Sequence, residues 1–289
     1  MEHENLSYYS DCRFFIGYVP CIYHKNEGAH CTGCAHFAKV DEDILIIKLG
    51  AIGDVIRTTP LLSKIWKEHP KARIWWLTYS PEVLPSAINR IMPFNLESIV
   101  TLQAVKFSVL INLDKDLQAC ALASEISADK KFGFVLHKGV PVPANELSEN
   151  KFLTGLFDDV SQANRKSYLD EIFEICGWEF GGEEYILNYS SDIEWQFQND
   201  NKPVVGLNTG CGARWTSRLW KEENWLALIQ VLQQNGYYPM LLGGEQEHTK
   251  NLKLAEMTGC KYFGHFGLQD FISLVEECDV VVTGVTMAF

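Results

Sequence analysis

The sequence lacks any run approaching the ~18 apolar residues that a membrane-spanning helix requires, and its opening MEHENLSYYSDC has neither the basic start nor the apolar stretch of a secretory signal. It also lacks a basic surplus: 25 Lys and Arg stand against 37 Asp and Glu, a formal charge of -12. Such a field repels nucleic acid and anionic membranes unless basic residues are gathered locally, so generic DNA or RNA binding is disfavoured. A cytoplasmic location is expected, with at most peripheral association at the inner face of a membrane. Two nucleotide motifs are missing as well. There is no G-x-x-x-x-G-K-[ST], which excludes a P-loop NTPase on the motif, and no G-x-G-x-x-G, which argues against a nicotinamide dehydrogenase.

What is present is an ordinary globular composition: 289 residues, 47% hydrophobic, 21% charged and 12% aromatic. That length suits two domains, each large enough to bury its own core. Cysteine is abundant and uneven. Of nine, Cys12, Cys21, Cys31 and Cys34 crowd the opening, while Cys120, Cys176, Cys211, Cys260 and Cys278 are scattered through apolar or loop contexts. The scattered five read as small buried hydrophobes. The clustered four follow C-x8-C-x9-C-x2-C, with His24, His30 and His36 nearby. In a reducing compartment that spacing suits a closed tetrahedral zinc site, an iron–sulfur cluster and uncoordinated thiols being the alternatives. A segment this short cannot bury a core, so metal would supply its folding free energy.

Beyond the cysteines the pattern alternates. ILIIK (44–48) reads as a strand, LGAIGD as a glycine turn, and 55–69 as one helix with Pro60 near its start and Pro70 at its end. RIWWLT (73–78) closes a βαβ unit, and FSVLINL (107–113) is a further strand, followed by a helical stretch to Ala128 and the apolar piece FGFVL (132–136). Residues 139–164 carry prolines and polar residues and read as a long loop; helical spacing returns over 165–176, and 181–202 is the candidate junction. A second series follows: strands at 203–208, 237–243, 261–264 and 279–284, with helices at 222–234, 245–258 and 268–277. The alternation implies two doubly wound, Rossmann-like α/β domains in tandem. The expected organisation is a Cys-rich zinc-binding segment (1–40) and two Rossmann-like domains, 41–195 and 196–289. The second domain is expected to be incomplete, because the chain stops at Phe289 directly after a buried strand.

Four segments carry candidate chemistry. In KLGAIGD, Gly53 and Asp54 follow the first strand at the edge where open α/β sheets bind ligands. Asp54 reads either as a helix N-cap or as a general base. In NTGCGARWTSRLWKEENW, glycines, hydroxyls, Arg214 and Arg218 precede a helix, an arrangement suited to a diphosphate; a surface loop packed by Trp220 and Trp225 is the alternative. In LLGGEQEH, Glu245 and Glu247 suit either a ribose or a helix dipole. DVVVTGVTMAF places Thr286 after the last strand. Arg57, Lys64, Lys67 and Lys71 on or near the first helix read either as a face for an anionic ligand or as a solvated helix face.

From about Asp43 onward these motifs, in order and spacing, resemble the heptosyltransferase-type glycosyltransferases of family 9, which have the two-domain GT-B fold. The matching residues are ILIIKLGAIGDVIRTTPLL, GLNTGCGARWTSRLWKEENWLALI, LLGGEQEH and Gly267 to Gly284. The resemblance implies an inverting, metal-independent transfer of a sugar, typically a heptose from ADP-heptose, to a glycan or lipopolysaccharide-type glycolipid acceptor. It places Asp54 on the catalytic base, Arg218 on a position that contacts the donor diphosphate, and Glu247 on the carboxylate that holds the ribose. Gly53, Thr209, Gly210 and Thr286 complete the donor-binding set. The acidic residue usual in the family's C-terminal loop is replaced by Val285. The chain is therefore expected to be inactive or poorly folded in its C-terminal half, and a non-catalytic binding protein of the same fold stays open as the alternative.

Overall fold

A computed structural model describes residues 7–187, 191–210 and 219–284. The chain divides into two compact units, Met1–Leu187 and Asn188–Phe289. Each is a Rossmann-like α/β unit built on a parallel sheet.

The first unit begins with a Cys-rich module holding one short helix, α1 (Ile22–Glu27). The sheet follows: β1 (Glu42–Ile47), β2 (Ala72–Thr78), β3 (Arg90–Pro93), β4 (Phe107–Asn112), β5 (Ala128–His137) and β6 (Val140–Pro143). Its order is β3-β2-β1-β4-β5-β6, parallel except for the β5–β6 pair. The β-branched run in β1 is buried on both faces, as a central parallel strand must be. Between β1 and β2 the chain forms α2 (Ile52–Ile56) and α3 (Leu61–Glu68). The single helix expected over 55–69 is thus two. The Thr58 and Thr59 hydroxyls donate back to the carbonyls of Asp54 and Ile56, at 2.6 and 2.8 Å, and Pro60, with no N–H, starts α3 afresh.

Three further helices complete this stretch of sheet: α4 (Leu96–Gln103), α5 (Leu117–Glu125) and later α8 (Tyr168–Ile175), which carries a capping box at Ser167 and Asp170. One core of the unit gathers Leu45, Ile47, Leu77, Leu102, Phe107 and Ala123. The segment 139–164 is not a long loop. It holds β6, α6 (Glu149–Leu153) and α7 (Asp158–Ala163), because Lys138 and Gly139 both take positive φ, 50° and 83°, and turn β5 back into a hairpin. The β5 strand begins at Ala128, where a helix was expected to end. It passes close to β4 at Gly133, where a Cβ would lie 1.7 Å from the Asn112 carbonyl oxygen.

The second unit contains β7 (Val204–Asn208), α9 (Glu222–Gln234), β8 (Tyr238–Leu242), α10 (His248–Thr258), β9 (Lys261–Tyr262), α11 (Leu268–Glu276) and β10 (Val280–Thr283). The sheet order is β10-β7-β8-β9, parallel throughout. Apolar clusters lie on its two faces, one around Leu207, Trp225, Ile229 and Leu254, the other around Met240, Leu242 and Leu274. Strand order reverses between β1 and β4 in the first unit and between β7 and β10 in the second. Open α/β sheets bind ligands at the carboxyl ends of the strands flanking such a reversal. Among the described residues no helix is long and apolar enough to cross a membrane.

Candidate functional site

At the reversal in the first unit, the residues following β1 and β4 are joined by a buried ion pair. Lys48 and Asp114 are only 4% and 6% exposed. The Lys48 ammonium donates to an Asp114 carboxylate oxygen and, at 2.5 Å, to the Gly50 carbonyl. The other carboxylate oxygen accepts the Leu49 N–H. Burial pushes the Asp114 carboxyl up from its ordinary pKa, and the Lys48 charge opposes that rise. Asn112 completes the arrangement: its amide donates to the carbonyls of Asp114 (3.0 Å) and Phe134 (2.7 Å), and its side-chain oxygen accepts the Asp114 N–H at 3.1 Å. Every polar atom of the carboxylate is thus used to hold the turn at 49–51.

That turn delivers α2. Its N-cap is Ala51, which makes no side-chain cap, and Asp54 stands in the first helical turn with its side chain 42% exposed. The N-cap reading of Asp54 therefore fails: capping is a job for residue 51, and the Asp54 carboxylate remains directed to its surroundings. The charge nearest to it is Arg57, at 4.0 Å. Arg57 in turn lies over the Tyr168 ring, 4.2 Å from its centroid, and Lys151 is 4.9 Å from the same centroid. Tyr168 is held neutral well above its ordinary pKa, first by burial and then by the Asp54 charge. Gly53 precedes Asp54 within α2.

At the reversal in the second unit, a pocket of about 100 Å³ is lined by Asn208, Thr209 and Gly210 at the end of β7 and just beyond it, Thr283 and Gly284 at the end of β10, and Trp220 and Trp225. The two indoles pack with centroids 5.1 Å apart. Glu247 lies beside this rim, because Gly210 and Gly243 leave it room: a Cβ on Gly210 would fall 2.3 Å from the Glu247 carboxyl carbon. The Glu247 carboxylate accepts the Gly244 N–H at 3.1 Å. Thr209 is more committed than its sequence position suggests. Its hydroxyl donates to Asn251 at 2.6 Å, its N–H to the Leu242 carbonyl at 3.3 Å, and its carbonyl accepts the Lys250 ammonium at 2.8 Å. Arg214, Arg218, Val285 and Thr286 lie outside the described residues.

The four clustered cysteines do come together. Cys12, Cys21, Cys31 and Cys34 line one cavity of about 30 Å³ with His30 and His36. Among the described residues, however, no group of three or more His, Cys, Asp or Glu side chains is arranged to hold a metal ion. The closed zinc site expected from the spacing is therefore not formed as the thiols stand. The Cys21 sulfur caps α1 by accepting the His24 N–H at 3.4 Å.

The structure places Gly53 and Asp54 at the first reversal and Thr209, Gly210 and Glu247 at the second, each beside polar residues that the sequence reading did not single out: Asp114 and Asn112 at the first, Asn208 and Asn251 at the second. The Asn208 amide donates to the Thr283 hydroxyl at 2.9 Å, tying the ends of β7 and β10 together. A signal existed for two of them: Asn208 and Asn112 both close apolar strands, an unusual place for a buried amide without a purpose.

Two Rossmann-like units with ligand edges of this kind define the fold class of the GT-B glycosyltransferases. Within that class, residues 166–286 match the family described as Glycosyltransferase family 9 (heptosyltransferase), so the resemblance read from the motifs holds for that span. Among solved structures, the chain is similar to E. coli heptosyltransferase WaaC with ADP, at 18% identity over 85% of this chain and 82% of that one, with a TM-score of 0.58. It is also similar to the family 9 glycosyl transferase of Veillonella parvula (18% identity, 86% and 76% covered, TM-score 0.57). A third is E. coli ADP-heptose lps heptosyltransferase II (15% identity, 85% and 80% covered, TM-score 0.55). At these identities the likeness establishes the fold. Among curated proteins none matches at the level of sequence.

Proposed function

We propose that the chain is an inverting glycosyltransferase that moves a sugar, a heptose from ADP-heptose, onto a hydroxyl of a cell-surface glycan or glycolipid, working at the cytoplasmic face of a membrane. The observation that carries this reading is the pairing of an uncommitted carboxylate, Asp54, with a turn held rigid by buried charge. A side chain that neither caps its helix nor closes an ion pair tighter than 4.0 Å is free to accept a proton. Support for the donor comes from the second unit, where Glu247 and the Gly210 rim suit a ribose and its diphosphate, and from two neighbours in fold whose names mention ADP or ADP-heptose.

The chemistry assigns one half of the reaction to each unit. The Asp54 carboxylate takes the proton of the acceptor hydroxyl as that oxygen attacks the anomeric carbon. The bond from that carbon to the diphosphate breaks, and the nucleoside diphosphate leaves with the electron pair. Arg218 and Thr286 are assigned to the departing charge, Glu247 to the ribose hydroxyls, Gly210 to backbone contact with the diphosphate, and Thr209 to holding that rim in place through Leu242, Lys250 and Asn251. No step calls on a metal ion. The Lys48–Asp114 pair touches no substrate in this scheme and serves as a positioning pair for the turn before Asp54.

The test is Asp54→Asn in the full chain, with transfer from ADP-heptose to a heptose-deficient glycolipid and ADP affinity measured separately. Transfer should fall by at least about 100-fold, the range for loss of a general base, with ADP affinity unchanged. Undiminished transfer by the variant overturns the assignment of Asp54. Failure of the unaltered chain to bind ADP overturns the donor.

A further inference from the structure

Asp54 and Arg57 stand on one turn of α2, at the i,i+3 spacing from which an acid and a base on a helix ordinarily close into an ion pair. They do not close. Their shortest approach is 4.0 Å, although both side chains are partly exposed. The guanidinium has taken a ring instead, with its central carbon 4.2 Å from the Tyr168 centroid and its Nε buried without a hydrogen-bond partner. A guanidinium over a half-buried aromatic face gains more than a water-screened pair of exposed charges returns, so the ring wins the competition. The ring itself is fixed. Tyr168 is the first residue of α8, where the Ser167–Asp170 capping box sets the backbone. Its phenol lies beside the Thr58 hydroxyl, which donates to the Asp54 carbonyl at 2.6 Å. The other charges around the ring are held elsewhere. Lys151, 4.9 Å from the centroid, pairs with Glu171 at 2.5 Å, Asp114 pairs with Lys48, and Lys115 lies over Phe134 at 5.6 Å. Arg57 is the cation within reach of Asp54.

We infer that Tyr168 is a positioning residue for the proposed base: its ring holds the Arg57 guanidinium off Asp54 and keeps that carboxylate open to an acceptor hydroxyl. The inference rests on the reading of Asp54 given above. A contact pair with Arg57 would work against that reading in two ways. The guanidinium would occupy the oxygens that must accept the proton, and a cation in contact would stabilise the carboxylate against taking it. With the ring removed, the guanidinium falls to its nearest opposite charge, which is Asp54. The role asks for an aromatic face and not for the phenol oxygen, so phenylalanine should serve in place of Tyr168 and leucine should not.

The experiment titrates the Asp54 carboxyl in the full chain by carbon-13 NMR with labelled aspartate, the signal being assigned by its loss in Asp54→Asn. Tyr168→Leu should move the Asp54 midpoint to lower pH by about 0.5–1, the direction set by a cation coming into contact. Transfer from ADP-heptose should show kcat lowered by about 10-fold, less than loss of the base itself, with KM for the donor unchanged. The acid limb of its pH profile should move with the midpoint. Tyr168→Phe should recover both, and adding Arg57→Gln to Tyr168→Leu should return the midpoint, because the displaced cation is gone. An unmoved midpoint in a folded Tyr168→Leu chain, or a phenylalanine variant as disturbed as the leucine one, overturns the inference. If the leucine variant does not fold, Arg57→Gln alone decides: a rise of the midpoint by less than about 0.5 agrees with a guanidinium held off by the ring, and a larger rise reveals a contact pair and overturns it. The titration needs no turnover. Full activity in Asp54→Asn would therefore sink the base while leaving the placement of Arg57 to be judged by the NMR midpoints.

Discussion

Replacing Lys48 by Met removes one member of the buried pair and leaves Asp114 with its charge unopposed. Asp114 is 6% exposed, and its remaining partner for charge is the Leu49 N–H alone. Breaking a buried pair in this way costs about 3–5 kcal/mol, because the survivor is neither solvated nor neutralised. That is a large share of the ~5–15 kcal/mol that holds a typical domain together. The sign with pH follows from the direction of the Asp114 shift. A carboxyl whose pKa is raised on folding destabilises the folded state as pH rises through the window between its unfolded and folded values. Loss of the Lys48 charge widens that window upward, so the variant should be weakest at neutral pH and recover as acid neutralises Asp114. The direct measurement is native-state hydrogen exchange at the amides of β1 and β4, which reports on the first unit alone. At neutral pH, 3–5 kcal/mol corresponds to exchange faster by about 150- to 5,000-fold. Adding Asp114→Asn to the same chain should return much of the loss, since the orphaned charge is gone. Exchange within a few-fold of the unaltered protein, or a double variant worse than Lys48→Met alone, refutes the argument.

Other outcomes follow from single contacts. Gly210→Ala should displace Glu247, which a Cβ would meet at 2.3 Å, and weaken ADP binding measured by calorimetry while the circular dichroism of the chain is preserved. Gly133→Ala should destabilise the first unit by at least ~1–3 kcal/mol in urea unfolding, since φ is 88° there and the new Cβ strikes the Asn112 carbonyl. Burial pushes the Cys120 thiol up to about 11 and the Cys260 thiol up to about 12, so both should resist iodoacetamide at neutral pH and react only on unfolding, as mass mapping of alkylated peptides would show. Thr209→Val should weaken ADP binding chiefly by freeing Asn251, so Asn251→Ala should produce a comparable loss.

The alternation of apolar strands and amphipathic helices made both units readable, because a parallel strand buried on two faces leaves a continuous run such as ILII in the sequence. The positions of two carboxylates were readable for the same reason: Asp54 and Glu247 fall in the first turns beyond runs that must be strands. The helix break at Thr58–Pro60 was harder to see, since apolar spacing continues across it and only the hydroxyl back-bonds and the proline end it. The β5–β6 hairpin was hidden by Pro141 and Pro143, which read as loop until two residues with positive φ place them on a sheet edge. The Lys48–Asp114 pair was not legible at all. Its members are 66 residues apart, and only the reversal of strand order brings them side by side.

The strands that end the first sheet have a consequence for how the protein behaves when crowded. An outermost strand normally offers a row of amide donors on which a stray strand from another molecule can settle and grow. Here the strand at one border, Val140–Pro143, contains two residues that have no such donor, and the opposite border closes on Pro93. A parallel sheet that forms slowly from distant segments spends time with its margins open. These prolines make the margins poor templates, so the first unit should remain monodisperse on refolding at concentrations where a sheet with valine at the same positions would begin to polymerise.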